Sequence, residues 1–346
     1  MKRLARHFAS VGALSAATVL LAQPAPPSAP SGADGSPPSK EAWDFRGIKG
    51  EILRTPHYRV YTTERDTVLK GRLTETLELA LAQYRSAIVD LPAPTRRLDV
   101  YLMDERRQWE TVTKLLMGEQ SEQLLLIPSG GYASRGIGVY YDIGLYGTVA
   151  ISAHEGWHQY TQQVFRDGLP VWMEEGLASF MEGHRWDGAR AAFRPWANLE
   201  RFDQLRKAHA GGRIKSLEVL LSTDPKGLFA GESTAALDYY AQVWALVHFL
   251  NEGEEGKHRE GLRTLLADAA SGRLNGRLLA NRTREEAAES IGRRIGPAVM
   301  REYFGEDLAA LGEAYVAFIE RVVGVGGRER VVAGESPAGD AGDGLE

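Results

Sequence analysis

The feature that most constrains this chain is His154-Glu155-Gly156-Trp157-His158, set in a stretch from Thr148 to Phe165 that reads as one helix. Positions four apart in a helix lie one turn apart on the same face, so both imidazoles point the same way. At that spacing each can offer one nitrogen to a single Zn2+ at about 2.0–2.1 Å. Glu155, one position round from His154, can reach a water beside such an ion without being a ligand, as a general base must. A catalytic zinc also needs a third protein ligand and an open position, so this helix has to pack against an element that supplies a donor.

A second helix is predicted to follow. Pro170 suits a first helical turn, and PVWMEEGLASFME runs on to Glu182 with Glu174, Glu175 and Glu182 as possible donors. Helical spacing puts Trp172, Glu175, Ser179 and Glu182 on one face, beside an apolar stripe of Met173, Leu177 and Phe180. Glu175 is therefore best placed to project toward the histidines. Glu182, two turns on, is a candidate acceptor for the outer ring nitrogen of a ligand histidine. The chain has no cysteine. That excludes thiolate ligands, thiol nucleophiles and disulfides, and leaves any metal to His, Asp or Glu. His184, His209, His248 and His258 have no partner at metal spacing and read as surface or packing residues.

HEGWH followed by WMEEGLASFME resembles the gluzincin superfamily of zinc metallopeptidases, in which a Glu on a following helix completes the HExxH site. Trp172-Met173-Glu174-Glu175-Gly176-Leu177-Ala178 is similar to the Trp-Leu-x-Glu-Gly-Phe/Leu-Ala phrase of the aminopeptidase-like members, and the match implies that Glu175 is the third ligand. Tyr240-Ala241-Gln242-Val243-Trp244-Ala245-Leu246-Val247 is similar to the phrase that carries their catalytic tyrosine. The resemblance thus implies Tyr240 as donor to the oxyanion, with Tyr239 as the fallback. Across about residues 55–320 the chain looks most like the secreted bacterial proteins classed as peptidase MA-like. It has no counterpart of the Gly-Ala-Met-Glu-Asn segment by which aminopeptidases hold a free amino terminus, and its stretch between His158 and Glu175 is slightly shorter than theirs.

The surrounding chain is organised around these helices. Lys2, Arg3 and Arg6 followed by the short apolar stretch Val11 to Ala22 predict an export signal over 1–22. A Pro, Ala, Ser and Gly-rich linker over 23–42 and a similar tail over 324–346 are predicted to be disordered. Between 43 and 146, strands at His57 to Thr62 and Arg97 to Met103 flank a helix from Thr67 to Val89, followed by a helix from Glu105 to Met117 and a hairpin within Gly130 to Asp142. Its part from Gly136 to Tyr141 is a candidate edge strand for pairing with an extended peptide, as well as a plain structural hairpin. From 147 to 323 helices dominate, with a capping box at Thr283 to Glu286. The expected fold is α+β and zincin-like: a small mixed sheet with helices, then a helical lobe, with the active-site cleft between them.

A net charge of −5 with both signs interspersed gives no broad cationic field, so nucleic acid is not an expected partner. The sequence predicts an exported, secreted or periplasmic zinc hydrolase of the metallopeptidase type, acting on a peptide or protein, with no stable membrane insertion after signal removal. The alternatives are a zinc amidase acting on a non-peptide or cell-wall substrate, and an exported binding protein that keeps the fold without turnover.

Overall fold

The structure, a computed structural model, describes residues 38–187, 190–228 and 233–339. The predicted signal, most of the predicted linker and the end of the predicted tail lie outside these residues. Strands β1 (Ser39–Phe45), β2 (Ile48–Arg54), β3 (Tyr58–Thr62), β4 (Leu98–Met103), β5 (Gly131–Ser134) and β6 (Ile137–Tyr141) form one sheet in the order β1-β2-β3-β4-β6-β5. β4 pairs in parallel with β3 and β6, and the other neighbours are antiparallel. Helices α1 (Thr67–Ser86), α2 (Arg106–Met117), α3 (Ser121–Leu124), α4 (Leu145–Val164) and α5 (Val171–Met181) precede a hairpin of β7 (His184–Asp187) and β8 (Arg190–Phe193). Then come α6 (Leu199–Ala210), α7 (Leu217–Ser222), α8 (Ser233–Gly256), α9 (Arg259–Ser271), α10 (Leu274–Asn281), α11 (Arg284–Gly292), α12 (Ala298–Phe304), α13 (Leu308–Val322) and α14 (Gly327–Ala333). The architecture is α+β, a mixed sheet followed by a mostly helical part.

Local chemistry explains the elements that frame the site. Asp66 caps α1 by accepting from the Val68 and Leu69 amides, and Leu69, Leu73, Leu77 and Tyr84 recur at helical spacing on its buried face. β3 alternates, with Tyr58, Val60 and Thr62 buried in turn. On the other face of the sheet, α2 sets Trp109 and Val112 into a smaller core with Met103 and Val139. The predicted capping box at Thr283 and Glu286 is present at the start of α11.

Two glycines let the motif-bearing helices approach their supports. Tyr84 donates from its hydroxyl to the Ala153 carbonyl at 2.6 Å, and a Cβ on Gly156 would stand 2.5 Å from that hydroxyl. A Cβ on Gly176 would stand 2.6 Å from the Val243 carbonyl oxygen, so α5 lies backbone-close on α8. Alanine at either position would push its helix off its partner, an overpacking cost of about 1–3 kcal/mol.

The structure corrects three sequence expectations. Ile137–Tyr141 is not an edge strand: β6 pairs with β4 and β5 on its two sides, and the sheet ends on β5 instead. The predicted linker is already strand from Ser39, because β1 is held by its ladder to β2 while most of its side chains stay exposed, which leaves no apolar alternation to read. The predicted tail contains α14, a helix too short to show a period but anchored by buried Val331. The described residues cluster as one compact unit, and the main core runs from Leu53 to Val331 across both predicted lobes. Among the described residues no helix is long and apolar enough to cross a membrane.

Candidate metal centre

α4 presents His154, Glu155 and His158, while α5 and the residue that caps its end present Glu174, Glu175 and Glu182. The Nε2 atoms of the two histidines lie 3.3 Å apart, and each lies 3.5 Å from Oε2 of Glu175. A tetrahedral ion with bonds of about 2.0–2.1 Å requires ligand atoms about 3.3–3.4 Å from one another. The triangle drawn by these three side chains has that size. His154, His158 and Glu175 form the one group of metal-ligand type found among the described residues.

The outer ring nitrogens explain why the inner ones converge. Nδ1 of His154 lies 2.7 Å from Oε1 of Glu182, and Nδ1 of His158 lies 3.1 Å from Oε1 of Glu174. A carboxylate can only accept, so in the neutral rings each Nδ1 carries the proton and each Nε2 presents a lone pair. Two lone pairs and a carboxylate oxygen then face one another with no donor among them, and a cation resolves that arrangement. Each outer carboxylate is itself held by an arginine. Arg201 donates to both oxygens of Glu182 at 2.7 and 3.2 Å, and Arg294 donates to Glu174 at 3.4 Å. Thr161 adds a hydroxyl donor to Glu174 at 2.6 Å, and Asn198 adds an amide donor to Glu182 at 2.6 Å.

The electrostatics favour positive charge at this point. Burial opposes the charged form of His154, but Glu175 and Glu182 outweigh it and raise its pKa to about 9. His158 is raised in the same way: its burial is outweighed by Glu175 and Glu174. Burial alone would raise Glu182, yet Arg201 and His154 bring it down to about 2, and the two histidines likewise hold Glu175 far below the usual carboxylate range. The same field that favours two protonated imidazoles favours a divalent ion in their place.

Glu155 stands apart from the triangle. Its Oε2 accepts the Ala133 amide of β5 at 2.8 Å, and burial raises its pKa against the pull of both histidines. Tyr240, on α8, has its ring 6.2 Å from that of His154 and 5.2 Å from the Arg201 guanidinium. Burial and the Glu175 carboxylate push its hydroxyl well above the usual value, so it keeps its proton. An open pocket of about 640 Å³ is lined by His154, Glu155, His158, Glu175 and Tyr240 together. Tyr239 does not line it and is fully buried.

All five residues singled out in the sequence therefore meet at one pocket. Glu182 takes the outer position its helical face suggested, and Glu174, one of the three acids considered as a donor, takes the equivalent position for the other ring. The sequence did not reveal Arg201, Arg294 or the Ala133 amide. Arg201 sits on α6, whose polar first turn carries little periodic signal, and the amide belongs to a backbone that no side-chain pattern identifies. Residues 148–270, which carry most of α4, all of α5 and Tyr240, match the model of a family described as a protein of unknown function (DUF1570). Comparison with curated proteins gives no match.

Proposed function

We propose that this protein is an exported zinc-dependent hydrolase of the metallopeptidase type, built on a zincin-like arrangement in which the pocket at α4 and α5 is the active-site cleft. The observation that carries this reading is the triangle of two imidazole nitrogens and one carboxylate oxygen beside a general-base candidate. Two histidines and one glutamate are a donor set of catalytic zinc. Zinc held there would supply a Lewis acid that polarises a scissile carbonyl and acidifies a neighbouring water.

The chain's own residues supply the rest. Glu155 accepts the proton of the attacking water and passes it to the leaving amine, a task suited to a carboxylate whose pKa burial has raised. The Ala133 amide fixes the plane of that carboxylate. Tyr240, which keeps its proton, donates a hydrogen bond from its hydroxyl to the developing oxyanion. Support for export comes from the cationic and apolar pattern of residues 1–22.

The test is hydrolysis of an unstructured protein such as casein by purified protein. The expected result is cleavage that stops when a chelator strips the metal and returns when zinc is added. Cleavage unaffected by removal of all bound metal would overturn the assignment.

A further inference from the structure

A second pocket, of about 230 Å³, is lined by Arg54, Arg59, Arg96, Arg97 and Asp99 and shares no residue with the metal centre. Register brings three of these together: Arg54 of β2 stands directly opposite Arg59 of β3, and Arg59 directly opposite Asp99 of β4, so they form one row on one face of the sheet. Like charges directly opposite on neighbouring strands repel, so the Arg54 and Arg59 pair is unfavourable without an anion nearby. Asp99 holds Arg59 through a two-pronged contact at 2.6 and 2.7 Å, and Glu41 holds Arg54 at 2.6 Å.

Arg96 and Arg97 have no acidic partner among the described residues. Arg96 donates to the Gln163 side-chain oxygen at 2.9 and 3.1 Å, and Arg97 donates to the Thr55 carbonyl at 2.9 Å. Four guanidiniums against two carboxylates leave a surplus of two positive charges at the mouth of a small concavity. The neutral acceptors fix the planes of Arg96 and Arg97 while leaving donors over. Planar guanidinium forks suit a tetrahedral oxyanion, and a surplus of two suits a dianion.

An aromatic ladder adjoins the row. The Arg59 guanidinium lies 5.4 Å from the Tyr61 ring centroid, Tyr61 stacks on Tyr101 at 4.7 Å and 9°, and Trp43 meets Tyr61 edge-on at 5.5 Å. Because Tyr61 and Tyr101 cover each other's faces, a ring attached to the bound oxyanion would meet their half-buried edges, the edge-to-face arrangement that aromatic pairs favour, within reach of the same arginine.

We propose that this face binds a phosphate monoester, with its dianionic phosphate among Arg54, Arg59, Arg96 and Arg97 and a ring of its organic part against Tyr61 and Tyr101. The site is independent of the metal centre and stands whether or not the protein hydrolyses peptides.

The experiment is calorimetric titration of the full chain with phenyl phosphate, inorganic phosphate and phenyl sulfate at constant ionic strength. At pH 7.5 phenyl phosphate is expected to bind one to one, more tightly than inorganic phosphate and more tightly than the monoanionic phenyl sulfate. Its affinity should fall toward pH 5 as the phosphate, with a second pKa of about 6, takes up a proton. Arg96→Gln and Arg97→Gln, both at exposed positions, should each weaken binding by about tenfold or more. Arg263→Gln, the same charge change on α9, should leave it unchanged. Absence of saturable binding overturns the proposal. So does equal weakening by Arg263→Gln, which marks a diffuse field, and so does phenyl phosphate binding no more tightly than inorganic phosphate.

Discussion

Oε1 of Glu182 lies 2.7 Å from Nδ1 of His154, and Arg201 grips both oxygens of the same carboxylate. The outer nitrogen of one ring is thereby held by a chain of fixed charges, and the Glu174 to Arg294 contact does the same for His158. Helix α5 thus sends Glu175 inward and Glu174 to the outer ring nitrogen of His158, while Glu182 just beyond its last turn does the same for His154. Orientation of the ligand set is built into one short segment.

If these contacts orient the rings, Glu182→Gln and Glu174→Gln should each lower zinc affinity about 10–100-fold while the protein stays folded. Competition with a chromogenic chelator measures this, with circular dichroism as the check on folding. An unchanged affinity would mean that the two acids do not orient the rings.

Glu155→Gln keeps the Ala133 contact geometrically possible but removes the proton acceptor. Turnover should fall about 10²–10⁴-fold with one zinc still bound. Metal analysis and protein-cleavage rates on the same preparation decide it, since full activity would place the base elsewhere.

Tyr240→Phe removes only a hydroxyl from the pocket wall. As the oxyanion donor, Tyr240 should account for about 10²–10³ in kcat, with KM and zinc content near those of the parent. Equal kinetics for the two proteins would reduce Tyr240 to a packing residue under Arg201.

His248 gives a pH dependence that has nothing to do with the metal. Its ring stacks on Trp196 at 3.6 Å and is 1% exposed, and burial lowers its pKa well below the ordinary value. The folded protein thus keeps His248 neutral, while the unfolded chain takes up a proton below about pH 6.5. Stability from this residue is full above that value and is lost as pH falls, by about 2 kcal/mol at pH 5. His248→Phe should flatten the pH 7 to pH 5 stability difference by that amount in denaturant unfolding. A parallel slope in the variant would contradict the assignment.

The sequence carried the site further than it carried the fold. HEGWH and the Glu-Gly-Leu-Ala phrase are local, and helical geometry converts their spacing directly into shared faces. The strand, helix, strand unit around α1 was legible for the same reason, because alternation and the leucine spacing fall within single elements. What could not be read was set by pairing across long separations. β1 shows exposed residues and is held by β2, the edge position passes to β5 only once β6 is seen to pair on both sides, and Arg201 reaches Glu182 from a helix 19 residues on. Ala133 meets Glu155 through a backbone amide, which no side-chain pattern encodes.

Whether α4 and α5 deliver three ligand atoms to one ion is read most directly by zinc content. Elemental analysis of purified wild-type protein after zinc loading and extensive dialysis should give one equivalent per chain, and Glu175→Ala should give close to none. Wild-type protein that emerges without metal, or a Glu175→Ala variant that retains a full equivalent, would contradict the account.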